Sequence, residues 1–109
     1  MSWSAGSGTY ARLLGLYVRE KKTLPLMEAI RKITLLPANR VNLPRKGRIK
    51  VGADADVTVF DPVKVVDRDD FASPAQPSAG IGWVVVNGTP VVANNAVVAG
   101  VLPGKAVRR

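Results

Sequence analysis

Gly47-Arg-Ile-Lys-Val-Gly52-Ala-Asp-Ala-Asp56-Val-Thr-Val-Phe60-Asp-Pro62 is the stretch on which the fold class turns. Ahead of it, apolar residues recur with helical spacing among many basic ones; behind it come short Val-rich runs separated by turn residues. Ile49 and Val51 alternate with Arg48 and Lys50, which predicts a short half-buried strand, and Gly52 then lets the backbone turn where a β-carbon would clash. Val57 to Phe60 follow as a second strand, stopped at Asp61-Pro62 because proline lacks the ladder donor. Asp54 and Asp56 stand on the lip of that apolar strand, and the functional question gathers on them.

Working back towards the N-terminus, Lys21-Lys22-Thr23 reads as a connection between two helices. The first runs from residue 9 or 10 to about residue 20, with Thr9 as its N-cap and Tyr10, Leu13, Leu14, Tyr17 and Val18 as its apolar face. The second starts at Leu24-Pro25, carries the stripe Leu26, Met27, Ile30 and Ile33, and has Glu28 early and Arg31 and Lys32 late, the order the helix dipole prefers. Leu36-Pro37 is expected to break it, with a brief third helix over Pro37 to Asn42. Residues 1–8 are rich in Ser and Gly and read as an irregular lead-in or a remnant of cloning or truncation.

Towards the C-terminus, Val63 to Val66 reads as a strand edge or an extended link, Asp67-Arg-Asp-Asp70 as an acidic turn, and Pro74 to Gly80 as a loop. Ile81 to Val86 is the next strand, and Asn87-Gly88 is the strongest hairpin signal, returning the chain through Thr89 to Val92. A turn at Asn94-Asn95 leads to Val97-Val98, and Gly100 to Arg109 forms a tail with a Pro103-Gly104 turn. Helices followed by antiparallel strands make an α+β order. Four or five short strands are few for a closed sandwich but enough for one layer of something larger.

Composition narrows the chemistry. A chain of 109 residues suits one domain, and 47% apolar against 22% charged residues excludes a disordered tail. No run of about 18 apolar residues occurs, and the first residues lack the basic-then-apolar order of a signal peptide, so a cytoplasmic protein is expected. The absence of cysteine and histidine removes disulfides, thiolate nucleophiles, the usual zinc ligands and the commonest general base. Ser4 and Ser7 therefore have no histidine to activate them. Net charge is +8, and residues 1–50 hold eleven Lys or Arg against only Glu20 and Glu28. Such a basic half suits nucleic acid or an acidic surface, but no aromatic residues are interleaved with the charges, which favours a solvated helical face.

Two carboxylates are the minimum for a general acid/base pair or a metal site, so Asp54 and Asp56 are the candidates. Two residues apart on a strand they would face one side, and like-charge repulsion would raise one pKa if both were buried. The structural alternative has Asp56 capping the turn through backbone N–H groups while Asp54 stays in water. That alternative is preferred, because nothing else supplies ligands or a nucleophile. Gly47, Gly52, Asp56, Asn87 and Gly88 are accordingly assigned as structural turn residues, and no residue is assigned a catalytic, metal or cofactor-binding role. Asp67, Asp69 and Asp70 lack the spacing and glycine of a calcium loop. Asn87-Gly88-Thr89 fits a glycosylation pattern, yet a tight hairpin explains it without further assumptions. Lys105 to Arg109 reads as a soluble end or a segment laid over a neighbouring domain.

GRIKVGADADVTVFDP, GWVVVNGTPVV and GVLPGKAVRR together resemble the C-terminal end of metal-dependent amidohydrolases. GTYARLLGLYVREK and LMEAIRKITLLPANRVNL are similar to the last helices of the N-acyl-D-amino-acid deacylase (D-aminoacylase) branch, so the resemblance runs from about residue 8 to residue 109. It implies a (β/α)₈ barrel with a zinc site and a β-sandwich built from both chain ends. On that basis residues 1–8 are lead-in, 9–43 the closing barrel helices, and 44–109 the C-terminal share of the sandwich. The family's histidine-bearing segments have no counterpart here, and its catalytic aspartate would fall upstream of Gly8. The resemblance thus implies a non-peptide amide hydrolase in the full-length family, with this chain by itself inactive and holding no cofactor. Uncovered apolar faces lead us to expect a homodimer or exchanged oligomer, or the missing barrel portion, as partner. The alternatives are a small basic module for nucleic acid or acidic surfaces, and a structural subunit completing a separately encoded barrel.

Overall fold

The computed structural model describes residues 9–66 and 79–107. Residues 9–12 are α-helical and pass into α1 (Leu13–Glu20), where the hydrogen bonding widens to the i→i+5 pattern. Lys21 N–H closes this helix by donating to Leu16 O at 2.7 Å. The span matches the apolar spacing. The wider winding does not show in the spacing, because over two turns both ladders put nearly the same residues on one face.

α2 (Leu26–Ile33) opens on Pro25, whose carbonyl accepts Ala29 N–H at 3.0 Å while its missing N–H lies where a helix needs no donor. The break after α2 is not at Leu36-Pro37 but at Thr34, with φ −125° and ψ −81°. There the Thr34 hydroxyl donates back to Ile30 O at 2.7 Å, competing with the helical ladder. α3 (Leu35–Arg40) begins at once and carries Pro37 in its first turn, so the proline joins a helix rather than ending one.

The strand expected at Arg48 to Val51 does not form. Ile49 is 90% and Val51 102% exposed. The segment instead closes on itself: Ala53 N–H donates to Lys50 O at 3.1 Å and Asp54 N–H to Arg45 O at 2.9 Å. Arg48 Nε donates to Lys46 O at 2.9 Å and Nη2 to Asn39 Oδ1 at 2.7 Å. Alternation produces a strand only where a neighbour takes up the ladder, and no strand among the described residues lies alongside.

Among the described residues four strands follow, β1 (Val57–Phe60), β2 (Ile81–Val86), β3 (Thr89–Ala93) and β4 (Ala96–Val97), in sheet order β1-β2-β3-β4. β2–β3 and β3–β4 are antiparallel, with Val86 opposite Thr89, Val85 opposite Pro90, and Val92 opposite Val97. Register shifts between Val84 and Val85, next to Pro90, where a bulge accommodates a residue that cannot donate. Asn87 (φ 49°) and Gly88 (φ 78°) both take the left-handed conformation that a two-residue hairpin requires, as do Asn94 and Asn95 at the next turn. Val63 to Val66 is neither strand nor simple link. Lys64 and Val65 N–H fold back onto Asp61 O, and Val66 makes an isolated antiparallel bridge to Ala79.

By compactness the chain divides into two units, one of residues up to Ala29 with Phe60–Ile81, the other of Ile30–Val59 with Gly82 onward. In the first, Ala11, Leu14, Ala29 and Val65 are buried, Val65 completely; in the second, Ala38 is the buried apolar residue among those described. No helix of the described residues is long and apolar enough to cross a membrane. The readings made for residues 1–8, for Asp67, Asp69 and Asp70, and for most of the Pro74 to Gly80 loop lie outside the described residues.

Candidate functional site

In the second unit the two candidate carboxylates meet around one lysine. Lys46 Nζ lies 2.5 Å from Asp56 Oδ2 and 3.2 Å from Asp54 Oδ2, and Arg45 Nη2 lies 2.7 Å from Asp54 Oδ1. Asp54 is therefore not left to water, and its side chain is 20% exposed. The two aspartates share a side, but no strand places them there. The return of the chain from Lys46 through the closed loop to Asp54 does so.

Asp56 also reaches the hairpin: its Oδ1 accepts Asn87 N–H at 2.9 Å, while Gly88 N–H donates to Ala55 O at 2.9 Å. Asn87 Nδ2 in turn donates to Pro103 O at 2.7 Å. The bond from Asn87 N–H, followed by the Lys46 ammonium, holds the Asp56 carboxyl below its ordinary range. The bond to Asp56, only partly offset by desolvation, pushes the Lys46 ammonium up. Each shift runs away from neutrality, opposite to what a general acid or base working near pH 7 needs.

The same cluster does not suit a metal ion. An ammonium occupies the place between the carboxylates, and among the described residues no three of His, Cys, Asp and Glu gather. A cavity of about 540 Å³ lies beside the cluster, lined by Arg45, Lys46, Asp54, Asn87 and Lys105 among others. None of these supplies an activated nucleophile.

The first unit holds a different arrangement. Val65 N–H donates to Asp61 O at 2.8 Å and Val63 N–H to Asp61 Oδ1 at 2.8 Å, folding residues 61–65 into a turn. Arg19 Nη1 donates to Val65 O at 2.7 Å and to Pro62 O at 3.3 Å. Gly15 and Gly80 close on Val65 so tightly that a β-carbon on either would meet its backbone at 2.5 Å.

Gly47 (φ 71°) backs onto Thr34 O, where a β-carbon would come within 2.5 Å, whereas Gly52 (φ 89°) has nothing within 4 Å of that position. Arg45 and Lys46 were given no role from sequence, Asp61 was read only as part of a strand stop, and Arg19, expected to face solvent, instead bonds the turn. For Lys46 a signal exists in hindsight, a basic pair just ahead of an Asp-Ala-Asp. For the reach of Arg19 to the turn there is none, because the carbonyls that accept from its Nη1 lie more than forty residues away, while its Nε bonds the neighbouring Glu20.

Comparison with known proteins gives this geometry a context. The model of a family described as the amidohydrolase family matches residues 1–92. The N-acyl-D-glutamate deacylase of Alcaligenes xylosoxydans xylosoxydans is 49% identical over 84 residues, which are 77% of this chain and 17% of that protein. A solved D-aminoacylase structure superposes with a TM-score of 0.86 at 36% identity, covering 92% of this chain and 21% of that one. The N-acyl-D-glutamate deacylase of Bordetella bronchiseptica, solved with zinc and a phosphonate inhibitor, gives a TM-score of 0.73 at 43% identity, over 74% of this chain and 17% of that one. The chain thus spans about a fifth or less of the length of these relatives.

Proposed function

The chain belongs to the amidohydrolase family, and from that premise we propose that it is the C-terminal segment of an N-acyl-D-amino-acid deacylase, an enzyme that hydrolyses a non-peptide C–N amide bond. The observation that carries the reading is the superposition on D-aminoacylase over 92% of the chain. In this reading residues 9–43 are the closing helices of a barrel and residues 44–109 contribute to a β-sandwich beside it. Zinc belongs to the part of the enzyme outside this chain, where it would activate water for attack on the amide carbonyl. On this reading the contribution of this chain is structural, and the isolated 109 residues are expected to show no turnover of their own.

The covering partner is either a second copy or the barrel portion, and the location is the cytoplasm, which suits a chain without cysteine. The basic first half needs no nucleic acid to explain it. Arg19, Arg45, Lys46 and Arg48 are each occupied by carbonyl or carboxylate partners within the chain.

The test is a chimera in which this chain replaces the segment it matches in the full-length N-acyl-D-glutamate deacylase of Alcaligenes. The chimera is expected to hydrolyse N-acetyl-D-glutamate with zinc present, and the isolated chain is expected to show no turnover above a blank. A folded but inactive chimera would count against the deacylase reading, and so would turnover by the isolated chain.

A further inference from the structure

The Asn87-Gly88 turn carries chemistry of its own. Asn87 is the one asparagine of the sequence followed by glycine, so no β-carbon screens the backbone nitrogen next to its side-chain amide, and both residues are exposed to water. Two bonds occupy the groups that would react: Gly88 N–H donates to Ala55 O at 2.9 Å, and Asn87 Nδ2 donates to Pro103 O at 2.7 Å. The two fastenings are not equally firm. Ala55 directly precedes Asp56, whose Oδ1 takes Asn87 N–H and whose Oδ2 is paired with Lys46, whereas Pro103 lies on the tail beyond β4 between the exposed Leu102 and Gly104. A tail of this kind lets go before a sheet does.

We infer that Asn87 is a site of spontaneous deamidation whose rate is set by the C-terminal tail. In this reaction the Gly88 nitrogen gives up its proton and bonds to Asn87 Cγ, the Cγ–Nδ2 bond breaks, and ammonia leaves with the proton. Water then opens the cyclic imide at either carbonyl, giving Asp or isoAsp at that position. While Pro103 O holds Nδ2, the side-chain amide is kept from turning its carbon towards Gly88 N; once the tail lifts, the Ala55 bond alone opposes the step. The change runs one way. A carboxylate only accepts, so it cannot donate to Pro103 O, and it adds an anion beside Asp56, whose Oδ1 already takes the N–H of the same residue. The isoAsp form also lengthens the backbone inside a two-residue turn in which both residues hold positive φ. The inference is independent of the deacylase reading, because every reacting and guarding group lies within this chain.

The test is peptide mapping by mass spectrometry, with enzymatic methylation to mark isoAsp, on the 109-residue chain held in mildly alkaline buffer. Asp and isoAsp are expected to accumulate at Asn87 before Asn39, Asn42, Asn94 or Asn95 changes. Ending the chain at Leu102 is expected to speed the conversion about fivefold, the factor that one net hydrogen bond supplies. Urea is expected to speed it about tenfold or more over the native chain, as both guarding bonds open. Earlier conversion at another asparagine overturns the inference, as does a native rate equal to that in urea, or a folded shortened chain that converts no faster. Should circular dichroism find the shortened chain unfolded, the Asn87→Asp variant of the full chain decides. Nitrogen relaxation is then expected to show the order parameter of Gly104 falling from about 0.85 to about 0.6 or below, with β2 and β3 unchanged. An unchanged Gly104 overturns the inference, since the tail would then not depend on the Asn87 amide.

Discussion

The Val65 turn of the first unit and the Lys46 cluster of the second both tie distant parts of the chain together, by opposite means. Around Val65 the fit is steric: Val65 is fully buried, and Gly15 and Gly80 approach its backbone more closely than any β-carbon would allow. Around Lys46 the fit is electrostatic and partly wet, with Lys46, Asp54 and Asp56 side chains 28%, 20% and 34% exposed. Close packing fails abruptly when an atom is added, because neighbouring backbone cannot shift cheaply. A half-exposed ion pair fails gently, because water and salt replace what is lost.

The sharpest way to break this contrast is at Gly80. Gly80→Ala adds a β-carbon 2.5 Å from Val65 backbone atoms at a φ of 84°, so both clash and backbone strain apply, and a loss of roughly 3 kcal/mol or more is expected in chemical denaturation. Gly47→Ala comes next, at roughly 2–3 kcal/mol, since its added atom would meet Thr34 O while Gly47 also holds positive φ. Asp56→Ala removes the acceptor of Asn87 N–H and one of two anions on Lys46; about 1 kcal/mol is expected, shrinking in high salt. Should Asp56→Ala cost as much as Gly80→Ala, the distinction between the two regions fails.

Titration sharpens the same comparison. The Asp56 carboxyl is lowered from 3.8, so its contribution is complete well above that value and is lost as pH falls through it towards the lower folded value. The Lys46 ammonium is raised from 10.5, so its contribution is complete below that value and is lost as pH rises through the folded one. Denaturation midpoints followed with pH should therefore be level across neutrality and sag at both ends, only slightly because the groups are partly exposed. In an Asp56→Asn variant the acid-side sag should lessen. The smallest effect is expected at Gly52→Ala, about 1 kcal/mol or less from positive φ alone, since no atom stands in the way.

Much of this architecture is legible in local chemistry. The span of α1, the start of α2, the β1 and β2 strands and the Asn87-Gly88 hairpin follow from apolar period, proline placement and residues that tolerate positive φ, all of which act within a few residues. The site was half legible. That Asp54 and Asp56 belong together was visible; that Lys46 sits between them and Arg45 flanks them was not, because a charge chooses its partner by where the backbone brings it.

By itself the sequence determined the order of helices before strands, the turns, and the absence of histidine and cysteine chemistry, since each depends on residue type and near neighbours. The tertiary structure alone decided that Thr34 and not Pro37 ends α2, that Gly15 and Gly80 must lack a side chain, and that Ile49 and Val51 stand in solvent. The reason is common to all three. A hydrogen bond, a steric limit and a strand pairing each need a partner, and only the folded chain says whether one is there.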